Sequence, residues 1–241
     1  MKNLPAAQVL RVACAMSICM LAACTRLQEP PTPLPEPAVS DWLDDYAELA
    51  AEPGNLRFRV DPETSLVVVQ VFRAGRLARL GHDHVIASHA LSGYVLMNPA
   101  RGQCRGNFAL AVAELSVDEP DLRERYEFRT QPSETDIQGT RANMLEHVLD
   151  AEHYPQIAAF ITACDINNGD ADLRINLRNA EQPLRLKAQR FEFTNAGFEM
   201  SGHFTLRQSD FGITPFSVMG GLLSVADAVE IHYRINGRKL E

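Results

Sequence analysis

The segment Gly81-His82-Asp83-His84-Val85-Ile86-Ala87-Ser88-His89 holds three of the chain's seven histidines in nine positions. Residues two apart on an extended segment project to one side. His82 and His84 are therefore two candidate metal ligands, and Asp83 can orient a neighbouring group. A structural zinc site needs four ligands, and a catalytic one needs three plus an open position. No HExxH, CxxC or histidine-rich tract supplies the rest. The first reading is a polar cluster at a strand start, hydrogen-bonded to a barrel rim. A periplasmic metal- or redox-associated role for His82 and His84 is the alternative. His89 has the opposite parity. His203 and His232 fall on the polar faces of alternating segments, which predicts exposure. His147 and His153 lie at the back and end of a helical pattern, where histidine suits the helix dipole. Nucleophilic chemistry has less support: there is no GxSxG, and no histidine partner for Cys104 or Cys164 is legible. Met219-Gly220-Gly221 lacks the lysine and helix of a phosphate loop. The expectation is a non-catalytic protein without a cofactor.

These residues must be positioned mainly by strands. From about Asn55 the period is two. Leu173, Ile175 and Leu177 alternate with Arg174, Asn176 and Arg178, and Leu184, Leu186 and Ala188 alternate with Arg185, Lys187 and Gln189. Phe198, Met200, Gly202, Phe204 and Leu206 share one parity, as do Val229, Ile231, Tyr233 and Ile235. Such alternation marks antiparallel strands with one apolar and one wet face. Segments 65–73 and 104–115 read as strands apolar on both faces in places. One stretch, Ser133 to Pro155, is helical: Ile137, Met144, Leu145, Val148 and Leu149 recur at helical spacing, Ser133 and Asp136 fit a capping box, and Pro155 stops it. The predicted fold is all-β, a closed or nearly closed barrel with one helical insertion.

The N-terminus reads as a targeting segment. Lys2 and Arg11 are its only charges, and Val12 to Cys24 is apolar except for Ser17, too short for the roughly 20 residues of a membrane span. Leu21-Ala22-Ala23-Cys24 is similar to a bacterial lipobox, which makes Cys24 the expected lipid anchor and 1–23 the signal peptide. Thr25 in place of Asp favours the outer membrane by the same resemblance. Residues 24–40 form a tether with five prolines between positions 30 and 37, a semi-rigid polyproline spacer. Residues 41–54 predict a short helix with Trp42, Leu43, Tyr46 and Leu49 on one side, ended by Pro53-Gly54. Residues 55–241 are the barrel domain. Loss of Lys2 and Arg11 takes the net charge from −8 to −10. With no cluster of Lys and Arg, nucleic acid is excluded as a partner.

Of the five cysteines, Cys14 and Cys19 leave with the signal and Cys24 carries lipid. Cys104 opens one strand and Cys164 closes the next. Antiparallel pairing of successive strands brings them to one end of the barrel, where an oxidising compartment would bridge them. Two separate buried thiols are the alternative.

Three stretches carry a family likeness: residues 81–97, residues 144–161, and above all Gln208-Ser209-Asp210-Phe211-Gly212-Ile213 with Pro215-Phe216 and Val225-Ala226-Asp227. In order and spacing they resemble YceI-like proteins, also called the lipid- or polyisoprenoid-binding-like family. Tyr154-Pro155 after the helix adds to the likeness. The Gly-His-x-His opening resembles a subgroup rather than the commonest form. The resemblance implies an eight-stranded antiparallel lipocalin-like barrel, about Leu56 to Arg238, whose lumen takes an isoprenoid or other apolar lipid. Phe108, Leu110, Phe191, Phe193, Phe198, Met200 and Phe204 are the candidate lumen residues. The same aromatic residues could instead fill the core and leave a structural module.

Overall fold

The computed structural model describes residues 52–240. The signal peptide, Cys24, the tether and the helix expected at 41–54 lie outside the described residues, except that Pro53 and Gly54 form a turn.

The alternating segments pair as antiparallel strands: β1 (Leu56–Val60), β2 (Leu66–Ala74), β3 (His84–Ser88), β4 (Ser92–Asn98), β5 (Gln103–Ala111), β6 (Ser116–Val117), β7 (Gln156–Cys164), β8 (Ala171–Leu177), β9 (Ala180–Leu186), β10 (Arg190–Phe193), β11 (Gly197–Arg207), β12 (Ser217–Val218) and β13 (Leu223–Lys239). The sheet thus has thirteen strands where eight were expected, and its path, β6-β3-β2-β13-β1-β4-β5-β7-β8-β9, is not closed by a ladder between its two ends. β11 branches from β13 and carries β10. The surplus comes from interruption. β1 and β2 run in the same direction along β13, split by the turn at Asp61–Ser65. β3 and β4 run likewise along β2 and β1.

Between β6 and β7 lie two helices, not one: α1 (Pro120–Arg125) and α2 (Glu134–Asn143), the latter running into a π-helical turn at Met144–Val148. The expected capping box starts α2: Asp136 N–H donates to Ser133 Oγ at 3.3 Å, and Ser133 N–H to Asp136 Oδ2 at 2.9 Å. Of the apolar stripe only Met144 is fully buried; Ile137, Leu145 and Leu149 pack half-buried around Val112, Leu115 and Val117. α1 explains why β2 and β3 are apolar on both faces. Leu122, with Tyr126 and Phe128, covers the outward residues Val68, Val85 and Ala87.

The inward residues form the main core. At one end Phe58, fully buried, meets Phe193 and Phe198 edge-to-face at 5.7 and 5.8 Å, a geometry the ring quadrupoles favour. The same end carries a disulfide between Cys104 and Cys164, with Cα atoms 5.4 Å apart.

Candidate functional site

The interior is packed solid at the disulfide end and hollow at the other. The hollow is an apolar cavity of ≈ 410 Å³, within the range of small-molecule sites. Strand register sets its axis. Val67 of β2 and Gly202 of β11 both lie opposite Tyr233 of β13 at the deep end, whereas Arg73 lies opposite Val225 at the mouth. From Val225 to Ile235, β13 runs roughly 30 Å, so the cavity is elongated.

Of the predicted lumen residues, Phe108, Leu110, Met200 and Phe204 line this cavity. Phe191 and Phe198 do not: they enclose a separate void of only ≈ 20 Å³ beside the disulfide, and Phe193 packs in the core at that end. Alternation assigns a side chain to a face but carries no information about position along the strands, which is why these three were misplaced.

The floor carries a phenol. Tyr233 is 6% exposed, and its hydroxyl is buried without a hydrogen-bond partner. Its ring lies over Gly202, where any Cβ would stand 2.6 Å from the hydroxyl oxygen. Burial, then the charge of Asp170, pushes the phenol up to about 12. A buried donor without a partner costs about 1–3 kcal/mol. Tyr233→Phe is therefore expected to stabilise the empty protein by up to that amount in urea unfolding, whereas a fall in stability would show that the hydroxyl is already satisfied.

The histidine pair stands at the other end. Both rings line the cavity, with centroids 6.3 Å apart, but the group that orients His84 is one the sequence did not suggest. His84 Nδ1 lies 2.6 Å from Asp118 Oδ2. A carboxylate only accepts, so the Nδ1 proton sits between them and Nε2 is left for other partners. Asp118, whose side chain is fully buried, also accepts from the Val85 amide at 3.0 Å and from Arg123. Burial pushes this carboxyl up, but the bonds from His84, Val85 and Arg123 outweigh it and hold it below the usual carboxylate range. Arg123, buried in turn, also donates to the Asp83 and Thr130 carbonyls. Asp83 serves elsewhere, accepting from the Arg73 amide at 2.9 Å. His82 Nδ1 is buried with no partner. No group of three or more His, Cys, Asp and Glu among the described residues is placed to hold a metal ion, so the pair remains without its further ligands.

The other histidines divide. His203 is exposed as expected. His232 is not: it is half-buried beneath Tyr126, ring centroids 4.9 Å apart, with Nε2 2.9 Å from Gln70 Nε2. Burial, followed by the neighbouring charge of His203, lowers its pKa. α1 accounts for the difference, because Tyr126 at its end covers the polar face of β13. His89 bonds Glu119, and His147 stacks on Phe216 at 6.4 Å.

The most specific sequence motif braces the rim. Ser209 donates through its amide and hydroxyl to Asp227, at 2.8 and 2.7 Å, and Gln208 Nε2 donates to the Ala226 carbonyl at 2.8 Å. Gly212 ends the turn in the left-handed region, at φ 68°. These bonds hold a bulge in β13, where the register against β2 shifts between Val225 and Val229. Gln208, Ile213 and Phe216 are thereby set against the cavity.

The YceI-like domain model matches residues 58–236, which covers the sheet, the cavity and the brace. The chain belongs to the YceI-like family. No curated protein matches it. Among solved structures it is similar to BcnA of Burkholderia cenocepacia, with 14% identity over 73% of this chain and 98% of that one and a TM-score of 0.52. It is also similar to a polyisoprenoid binding domain from Saccharophagus degradans implicated in plant cell wall breakdown, with 10% identity over 77% and 99% and a TM-score of 0.51. At these identities the likeness is one of fold. Within the YceI-like framework, Asp118 and Arg123 are the site residues that sequence reasoning missed. They lie 34 and 39 positions from His84, and no local spacing ties them to it.

Proposed function

We propose that this protein is a non-catalytic envelope lipoprotein that holds an extended apolar lipid of isoprenoid type inside an eight-stranded barrel. The observation that carries the reading is the elongated ≈ 410 Å³ cavity, walled by Val, Leu, Ile, Met and Phe. If β1–β2, β3–β4, β5–β6 and β9–β10 each count as one interrupted strand, the ladders reduce to eight strands around one lumen, with β12 a rim hairpin. A chain burying about 300 Å² of apolar surface gains roughly 7 kcal/mol, before the costs of association. The polyisoprenoid-binding description of the Saccharophagus relative supports the ligand class. Two of the three buried polar atoms without a partner among the described residues, His82 Nδ1 at the mouth and Tyr233 Oη at the floor, line the cavity and leave room for a ligand with a hydrogen-bonding group. Leu21–Cys24 and the proline tether support the anchor, and Thr25 in place of Asp supports the outer-membrane location.

Native mass spectrometry of membrane-extracted protein tests the proposal. An apolar adduct is expected on the intact protein and an acylated Cys24 at its mature N-terminus. Ala159→Trp, which adds an indole to the cavity wall, should abolish the adduct and leave the circular dichroism unchanged. Protein that never carries or takes up an apolar ligand, even when loaded with a prenol, would refute the binding function.

A further inference from the structure

Among the described residues the exposed large apolar side chains are Leu80, Val218, Met219 and Leu222, at 62%, 40%, 62% and 40% exposure. All four lie on two loops, 75–81 and 216–223. The loops are joined by a hydrogen bond from the Leu77 amide to the Leu222 carbonyl at 2.8 Å. They meet so closely at Gly75 that a Cβ there would stand 2.5 Å from that carbonyl oxygen. Both loops reach the cavity mouth, since Gly81 and Val218 line it. Singly scattered apolar residues on a surface are ordinary; four gathered on one pair of loops at the mouth of an apolar cavity are not. The charge on the loops themselves is one-sided. Arg76 and Arg79 are exposed on the first loop, and neither loop contains an acidic residue, although the chain as a whole carries −8.

We propose that these loops dock the cavity mouth onto an anionic lipid bilayer, so that the ligand passes between membrane and lumen without crossing water. Exposed apolar side chains flanked by arginines match the two requirements of an interfacial site, apolar insertion and attraction to anionic head groups. The acidic remainder of the molecule is repelled by the same surface, which orients the mouth toward it. The proposal rests on the lipid-cavity reading for its purpose, but the docking itself does not depend on what the cavity holds.

The test uses the full chain carrying Cys24→Ser, which cannot be acylated, with its single tryptophan removed, Trp42→Phe, and a reporter placed by Met219→Trp, a solvent-exposed site. It is mixed with vesicles of phosphatidylcholine and phosphatidylglycerol, three to one, containing brominated acyl chains. The expected result is a blue-shifted emission quenched by the bromines, weakened about tenfold in apparent affinity by Arg76→Glu/Arg79→Glu, and by 0.5 M salt through screening. Neutral vesicles should give the same weak response. Emission that stays at the solvent-exposed wavelength, or quenching indifferent to the arginines, would overturn the proposal. Uptake of a fluorescent prenol from vesicles separates the two readings. Leu80→Ser/Leu222→Ser should slow uptake from vesicles about tenfold and leave uptake from detergent micelles unchanged. A protein that docks but takes up no prenol from either source would retain this proposal and overturn the lipid-cavity reading.

Discussion

Asp118→Asn is expected to lower the free energy of unfolding by about 3–5 kcal/mol, the usual cost of breaking a buried ion pair from one side. Asn keeps the size of the side chain and tolerates the left-handed backbone at this position, φ 57°. The loss therefore reports charge and hydrogen bonding rather than shape. The substitution leaves the Arg123 guanidinium buried with only carbonyl and hydroxyl partners and releases His84. Asp118→Asn/Arg123→Met removes both charges and should recover most of the loss, which makes the pair strongly coupled in a double-mutant cycle. The pH dependence has a definite sign. The folded carboxyl titrates below its ordinary value, so its contribution is complete above about pH 4, the unfolded value. It is lost as pH falls through the folded value. The wild type should thus lose stability in that acid window, and Asp118→Asn should lose less, the remainder coming from Asp61, Asp136 and Asp227, whose carboxyls their hydrogen bonds also hold low. A double variant as unstable as the single one would show that the guanidinium is not what the carboxylate neutralises. Because α1 is tied through Arg123 to the residue that orients His84, the single variant should also weaken protection from hydrogen exchange in α1 before the rest of the sheet.

Reduction of the Cys104–Cys164 bridge should cost about 4 kcal/mol. The closed loop has a sequence separation of 60 residues, and the chain-entropy model gives about 3 kcal/mol for a 15-residue loop and about 4.7 for 100. The bridge sits in the packed end beside Phe191 and Phe198, far from the mouth. Cys104→Ser/Cys164→Ser is therefore expected to lower the urea midpoint strongly while leaving ligand capacity of the surviving folded protein intact. Intact-mass measurement before and after alkylation establishes the starting redox state. Equal stability of oxidised and reduced protein would remove the bridge from any structural role, and loss of ligand capacity at full folding would show that the packed end shapes the cavity.

The sequence by itself determined the strand class, the capped helix at Ser133 and the face to which most inward side chains belong. All three are local: period two and a side-chain cap need only neighbouring residues. It also brought Cys104 and Cys164 to the same end, because successive antiparallel strands place start beside end. What it could not contain was their facing. By strict alternation from Ile161, Cys164 would point outward. The register of β7 against β8 shifts between Ile161 and Ala163, and that one-residue bulge returns Cys164 to the inner side while Ala163 turns to solvent. A bulge flips every later side chain on its strand, and it is set by the partner strand rather than by its own residues. The same limit governs the site. Nothing near Gly81–His84 announces Asp118, which reaches His84 only because β6 pairs with β3 and ends against α1. Position along the strand decides that Phe204 faces a cavity and Phe198 a packed floor, although the two share a strand and a parity. Only tertiary packing, which stacks Phe58, Phe193 and Phe198 at one end and nothing comparable at the other, divides the interior into a solid half and a hollow one.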